Sequence, residues 1–486
     1  MVVLIFKINL KKLFDFKIYC MNWNERLRRA GLTRPSGKRV LCAYNALVDE
    51  QVFYDEGFFK FMIPPGDEKI ILHKTGREFY RVDNPTHFFS SFFQALKNGK
   101  AVHIPVNQYM LEWFRESFPE RMERIGGQAG IIANQLAILG WESVLYTPIL
   151  SERLARLIYR KVRFPVVEGD GVVLKKAVNC FKEGDPTKIN WIFEFREGDK
   201  LKIQGEVAVA PRSNRVIYSS PFPSIPVFES AYKEKNLEDL GGKVSGGIFA
   251  GYNYLKPNYD NGLTYKFYLK KEVENLEFLK RGNENLRIHV EFVPSDFKTI
   301  EKDVLKHLTV IAESMGINEV EVVEVAEKLG FKKEAAMVRK SENAFTLYKA
   351  AVKVFEKLKL KRLHLHNLGY NLVIVSKPCS IEKEVNAVLY SSIVATSKAM
   401  IGRELRRNEW RRSIRQPVSV RGLNQLEVLA REFNLKGVEK ELLQKQGVVD
   451  LGDHYLLCVP TQAFEKPLST VGLGDIVSSF AFAASL

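Results

Sequence analysis

The feature that most constrains this chain is a rhythm of apolar segments. Runs of strand length alternate with longer stretches whose apolar residues recur at helical spacing: residues 40–48, 142–148, 247–252 and 286–293 read as strands, 266–279 and 299–315 as helices. Such alternation predicts a mostly parallel sheet with helices on both faces, since each crossover must pass over the sheet to reach its parallel neighbour. Two stretches break the rhythm. Residues 49–100 are aromatic-rich, with Phe53, Tyr54, Phe58, Phe59 and Phe61 followed by Phe88, Phe89, Phe92 and Phe93, and residues 164–228 alternate as antiparallel strands do. The spacing of the aromatics predicts a core rather than a stacking surface. The fold expected is α/β: a large doubly wound sheet domain over 21–48, 101–163 and 231–486, with a smaller α+β lid domain assembled from 49–100 and 164–230.

Ahead of it, residues 1–20 are apolar but interrupted by Lys7, Lys11, Lys12, Asp15 and Lys17, so they lack the unbroken apolar centre of a signal peptide. They read as translated upstream sequence with Met21 as a second start, in preference to an amphipathic anchor.

Composition narrows the function. A chain of 486 residues has the length for two lobes. Its cysteines (Cys20, Cys42, Cys180, Cys379, Cys458) are scattered without a CxxC pair, which fits a reducing, cytoplasmic setting and offers no zinc or disulfide framework. No run approaches the roughly 20 apolar residues of a membrane span. The net charge of +16 points to nucleic acid or to small anionic substrates. Arginines 403, 406, 407, 411, 412, 415 and 421 surround Trp410 and give the strongest nucleic-acid signal; a solvated helix face or a site for an anionic substrate accounts for them better. His364 and His366 share a strand face, but no third ligand accompanies them, so zinc is not expected.

The chemistry is concentrated at the C-terminus, in Thr-Val-Gly-Leu-Gly-Asp at 470–475 followed by a run of small and apolar residues. Gly472 and Gly474 let main-chain N–H groups close around an anion, and the run after Asp475 reads as a helix whose N-terminus faces that anion. A carboxylate beside a bound phosphate does not hold it but can accept a proton from an incoming hydroxyl. That is the arrangement of a kinase, although a plain helix-entry turn uses the same residues.

Other segments supply the remaining parts. Asn45 and Asp49 stand at the C-terminal end of the first strand, where open α/β sheets build sites, or else form a turn. Arg-Ile-Gly-Gly-Gln-Ala-Gly at 124–130 offers a turn with Gly127 and Gln128 for a sugar-like ligand, or for tight strand-to-helix packing. Arg215 is a possible phosphate ligand. Glu291, paired across one strand face with His289, and Asn318 and Glu321 at a helix start are hard oxygen ligands suited to Mg²⁺ or its waters. His366 and Tyr370 fit packing against a nucleobase, or equally plain structural packing.

In a fixed order over residues 40–486, these motifs resemble the ADP-dependent glucokinase and phosphofructokinase family of the ribokinase superfamily. The resemblance implies a ribokinase-like doubly wound sheet with a two-segment lid, ADP as phosphoryl donor and Mg²⁺ as cofactor. It makes Asp475 the catalytic base and a metal-side group, with Gly472, Leu473 and Gly474 forming the anion hole. Glu291, Asn318 and Glu321 become metal-linked, Gly127 and Gln128 the sugar turn, and Arg215, His366 and Tyr370 nucleotide-side residues. Asp83 stands where glucokinase-like members carry a glutamate that reads a sugar hydroxyl.

Departures concern the acceptor. Leu47 replaces a sugar-facing amide in the Asn-x-Asn-x-Asp pattern, while Trp191 and Pro221 replace arginines typical of the phosphofructokinase branch. Each charged donor lost to a phosphate costs about 1.5–3 kcal/mol, which argues against fructose 6-phosphate and leans towards the glucokinase branch. The expectation is an ADP- and Mg²⁺-dependent sugar kinase of glycolysis. Its partners would be ADP and a sugar-like acceptor, with no membrane, as a monomer or small homo-oligomer. An ADP-dependent phosphofructokinase or a polyol or nucleoside kinase, a weakened sugar-sensing paralogue, and a nucleic-acid-binding protein are the alternatives.

Overall fold

The computed structural model describes residues 22–32, 37–75, 79–221, 224–295, 297–464, 467–469 and 472–486. The N-terminal extension 1–20 with Met21, and Thr470 and Val471 of the C-terminal motif, lie outside them.

Eleven strands form the large sheet. From one edge to the other they are Val448–Asp450, His454–Pro460, Tyr370–Ser376, Arg362–Asn367, Ser314–Asn318, Arg287–Glu291, Gly246–Ala250, Arg39–Tyr44, Glu142–Tyr146, Arg163–Glu168 and Gly171–Lys176. The pairs from Arg362–Asn367 through to Arg163–Glu168 are parallel, and antiparallel strands flank them on both sides. As expected for a buried parallel sheet, the strand Arg39–Tyr44 runs almost wholly apolar, with Val40, Leu41, Cys42, Ala43 and Tyr44 all inaccessible to solvent.

The strand Arg39–Tyr44 pairs with Glu142–Tyr146 on one side and Gly246–Ala250 on the other. The chain thus departs from it in both directions, and the carboxyl ends there border a natural crevice.

The expected strand 40–48 divides. It leaves the large sheet after Tyr44, and Leu47–Phe53 enters a second sheet of five strands ordered Val102–Pro105, Asn214–Ser219, Ile189–Phe195, Leu47–Phe53, Met122–Gly126. Asp49 therefore belongs to the smaller sheet and not to the end of the first strand. This sheet has its own core of Phe59, Phe88, Phe89, Phe92, Phe93, Phe114, Trp191 and Phe193, separate from the core of the large one. The second aromatic cluster, Phe88, Phe89, Phe92 and Phe93, is core as expected, but of the first only Phe59 is buried, and Phe53, Phe58 and Phe61 are exposed.

Three segment boundaries differ from expectation. Residues 101–126 extend the first segment of the smaller unit, because Val102–Pro105 and Met122–Gly126 are its two edge strands. Residues 163–176 instead make a hairpin at the edge of the large sheet, since polar alternation marks any half-exposed edge as well as a separate sheet. The helix expected at 299–315 is Lys298–Leu308, and Met315 lies in the strand Ser314–Asn318.

Candidate active site

Two surfaces face each other across the crevice. The first is the carboxyl edge of the large sheet, where successive strands deliver Asn45, Gly251, Glu291, Asn318 and His366. The second is one face of the smaller sheet, and strand alternation decides its membership. Asp49 stands opposite Asn190 and Arg124, Gln51 opposite Ile192, Arg215 opposite Glu194, and Ser219 opposite Asn190. Trp191 and Phe193 take the opposite face and fill the aromatic core.

Asp475 lies in the first turn of the helix Leu473–Ser485, behind Gly472. Gly472 has φ 64° and ψ 21°, and a Cβ there would stand 3.0 Å from Ile131 Cδ1, so the turn requires glycine. Leu473 and Gly474 begin the helix, where N–H groups lack intrahelical partners and an anion is favoured.

Gln128 Nε2 donates to Asp475 Oδ1 at 2.9 Å. Gln128 is in turn placed by Asn45, whose Oδ1 accepts the Ala129 N–H at 3.1 Å and whose Nδ2 reaches Gln128 Oε1 at 3.5 Å. Gly127 permits this approach: with φ 74°, a Cβ there would lie 2.3 Å from the Asn45 carbonyl oxygen. The expected sugar turn thus orients the expected base. Burial first, then repulsion from Glu291, pushes the Asp475 carboxyl up to about 6.

Glu291 and Glu321 stand within electrostatic reach of Asp475. Glu291 Oε1 accepts from His289 Nε2 at 2.9 Å and from Ser478 Oγ at 2.6 Å. Asn318 and Glu321 form a capping box: Asn318 Oδ1 accepts the Val320 and Glu321 N–H groups, both at 2.9 Å, and Glu321 Oε2 accepts the Asn318 N–H at 2.8 Å. Burial, reinforced by Glu291 and Asp475, raises the Glu321 carboxyl to about 8. Among the described residues no three His, Cys, Asp or Glu side chains converge into a ready-made metal cage.

A cleft of about 450 Å³ opens beside Leu473 and Gly474, lined also by His366, Leu368, Gln462 and Phe464 and, from the smaller unit, by Arg212. Its size suits a nucleotide-sized ligand. His366 Nε2 would stand 3.0 Å from a Cβ on Gly474, at the head of the helix.

On the acceptor side, Asp49 is buried and accepts from Asn190 Nδ2 at 3.1 Å, and burial lifts its carboxyl to about 7. Lys188, two residues before Asn190 and on the same face, donates to the Ser220 carbonyl. Burial lowers its ammonium to about 7 against the pull of Asp49. His103 Nε2 pairs with Ser219 Oγ at 2.8 Å.

The conserved region described as "ADP-specific Phosphofructokinase/Glucokinase conserved region" matches residues 38–484. The chain belongs to this family. Relatives include the ADP-specific phosphofructokinase of Pyrococcus furiosus, 32% identical with 92% of this chain and 96% of that protein covered. The ADP-dependent glucose/glucosamine kinase of Pyrococcus abyssi is 27% identical, with 95% and 98% covered. Among solved structures, an ADP-dependent kinase in complex with fructose 6-phosphate and ADPβS is similar with a TM-score of 0.81 and 32% identity, covering 96% of this chain and 97% of that one. Membership makes the chain an ADP-dependent sugar kinase, a phosphotransferase with a hydroxyl acceptor.

Within this family fold, the positions singled out in the sequence meet unequally. Asp475, Gly472, Leu473, Gly474, Gln128, Gly127, Asn45, Asp49, Arg215, Glu291, Asn318, Glu321 and His366 gather about the crevice. Arg215 acts electrostatically on both Asp475 and Asp49.

Tyr370 and Asp83 differ from these. Tyr370 is fully buried behind the cleft, its hydroxyl accepting from Asn367 Nδ2 at 3.0 Å, so Leu368 and Phe464 offer the apolar contacts instead. Asp83 is engaged by Arg81 at 2.6 Å in an exposed pair. Of the arginine cluster, Arg403 pairs with Glu409 and Arg421 with Glu342, while Arg411 lies over the Trp410 ring. No helix among the described residues is long and apolar enough to cross a membrane.

Sequence reasoning missed Lys188, His103, Gln51, Asn190, Glu194 and Lys398. The first five are visible only once strand alternation is fixed. Lys398 carried a signal, an ammonium inside the apolar helix Ile381–Ile401.

Proposed function

We propose that this kinase transfers the β-phosphoryl group of ADP to a hydroxyl of a sugar phosphate in the cytoplasm. The observation that carries the acceptor class is the basic pair on the smaller sheet, buried Lys188 and half-buried Arg215, both acting on Asp49. A pair of cations in this place suits a second anionic group on the acceptor. Trp191 no longer weighs against this reading, since it faces the aromatic core and not the crevice. The fructose 6-phosphate bound in the solved relative supports the same class.

In this reading ADP occupies the cleft at His366 and Leu368, with its β-phosphate at the Gly472–Gly474 turn. Gln128 holds Asp475 towards the acceptor hydroxyl, and Asp475 takes its proton. The smaller sheet acts as the lid whose approach expels water and brings Arg215 to the phosphates.

The hard-oxygen set fits Mg²⁺, because a divalent cation would stabilise the ionised forms of Glu321 and Asp475, which burial first and then repulsion from Glu291 disfavour. Glu291, Asn318, Glu321 and Asp475 would hold it, through its water shell where they do not reach it directly. When bound, Mg²⁺ neutralises charge on the transferred phosphoryl group.

An ADP-consumption screen over fructose 6-phosphate, glucose, glucosamine and nucleosides tests the acceptor, with ATP as the donor control. Lys188→Met is expected to raise KM for the sugar phosphate roughly 10- to 150-fold, the loss of one charged hydrogen bond, with KM for ADP little changed. Preference for a neutral sugar, together with an unaltered Lys188→Met enzyme, would overturn the acceptor assignment. Asp475→Ala is expected to lower kcat by about 10²- to 10⁴-fold while ADP still binds.

A further inference from the structure

Lys398 is buried, 3% exposed, in the helix that packs along Leu473–Ser485. Its Nζ has no hydrogen-bond partner among the described residues. The carboxylate paired with it, Glu404, is 3.8 Å away. The ammonium points at the turn before the last helix, where a Cβ on Gly472 would stand 3.4 Å from Nζ. A small void lined by Asp49, Gln51, Arg124, Lys398, Glu404 and Ser469 separates it from the acceptor face of the smaller sheet.

A buried cation without a hydrogen bond destabilises a fold unless something else compensates. Here the ammonium stands against Gly472, at the N-terminus of a helix that no described side chain caps. Asp475 and Asp49 lie within its electrostatic reach, so it sits between base and acceptor.

We propose that Lys398 is a catalytic residue whose ammonium contacts the non-bridging oxygens of the phosphoryl group in transit. The inference rests on transfer taking place at the Gly472–Asp475 turn. There the acceptor oxygen forms a bond to the β-phosphorus while the bond from that phosphorus to the bridging oxygen breaks. The electron pair leaves on the α-phosphate of AMP, and the acceptor proton passes to Asp475. Lys398 neither gives nor takes a proton; it offsets charge that spreads over the equatorial oxygens, which arginine fingers do elsewhere. Glu404 steadies the ammonium until the phosphate arrives.

The test compares Lys398→Met, Lys398→Arg, Glu404→Gln and Asp475→Asn in the full-length enzyme, by kcat, KM and Kd for ADP and thermal melting. Lys398→Met is expected to lower kcat about 10²- to 10³-fold, with Kd for ADP changed by less than about tenfold. Its Tm should be equal or higher, because a buried charge without a hydrogen bond has gone. Lys398→Arg should recover part of kcat, and Glu404→Gln should retain most of it.

Wild-type kcat in Lys398→Met would overturn the proposal. So would a fall in Tm shared with Glu404→Gln, the mark of a structural ion pair. Should the methionine variant not fold, Lys398→Gln carries the same reading. An active Asp475→Asn enzyme would remove the transfer site itself, whereas an inactive Asp475→Asn beside a normal Lys398→Met would remove only the role of Lys398.

Discussion

With Asp475 as the proposed base, its protonation should control turnover. Its ordinary value lies near 4, and burial with the neighbouring Glu291 charge raises it to about 6. A base works only when ionised, so kcat/KM should be level above pH 6 and fall roughly tenfold per unit below it. Gln128 donates to the ionised form and holds the value down. Gln128→Ala should therefore move the acid limb to higher pH as well as lower kcat. Profiles of kcat/KM against pH for both enzymes check this, and a wild-type limb near 4 would remove Asp475 from its role. The residue types at 472–475 were enough to propose this chemistry from the sequence. Lys398 was not assigned, because a lone lysine in a helix has no meaning until the helix opposite it is placed.

At the scale of elements, the turn between Met122–Gly126 and the helix Gln128–Leu139 joins the two sheets. Its glycine does more than break a strand. The left-hand φ of Gly127 and its approach to the Asn45 carbonyl let Asn45 cap the helix and let Gln128 face Asp475. Gly127→Ala should cost on the order of 1–3 kcal/mol from backbone strain alone, and more if the main chain of Asn45 must shift. Denaturant unfolding measures that cost, and kcat should fall further than stability explains, since Gln128 would lose its aim. A variant of wild-type stability and turnover would show that this contact is not needed. The capping box of Asn318 and Glu321 shows the same economy: the pair read from sequence as metal-linked also starts its helix.

For the whole molecule, the separate cores predict separable stability. Phe193 is fully buried and meets the rings of Phe59, Phe88, Phe118 and Tyr218 in the smaller unit. Phe193→Ala should cost about 3–5 kcal/mol, confined to that unit. Calorimetry should then resolve an earlier transition for the smaller unit ahead of the large sheet, with weakened acceptor binding. One cooperative transition, merely shifted, would show that the two cores unfold as one.

Local order was legible because its signals are local. The α/β rhythm, the glycine turns, the helix start at Asp475 and the aromatic core of the smaller unit all follow from periodicity and backbone freedom over a few residues. The sequence did not assign residues 163–176 to the large sheet or divide the strand after Tyr44, since edge strands of either sheet alternate alike. Nor could it orient Trp191 towards the core, bury Tyr370, or bring Lys188, Arg215, Asp49 and Lys398 around one point. Those outcomes depend on which strand lies beside which and on which face each turns to the crevice. Only the packing of distant segments sets them.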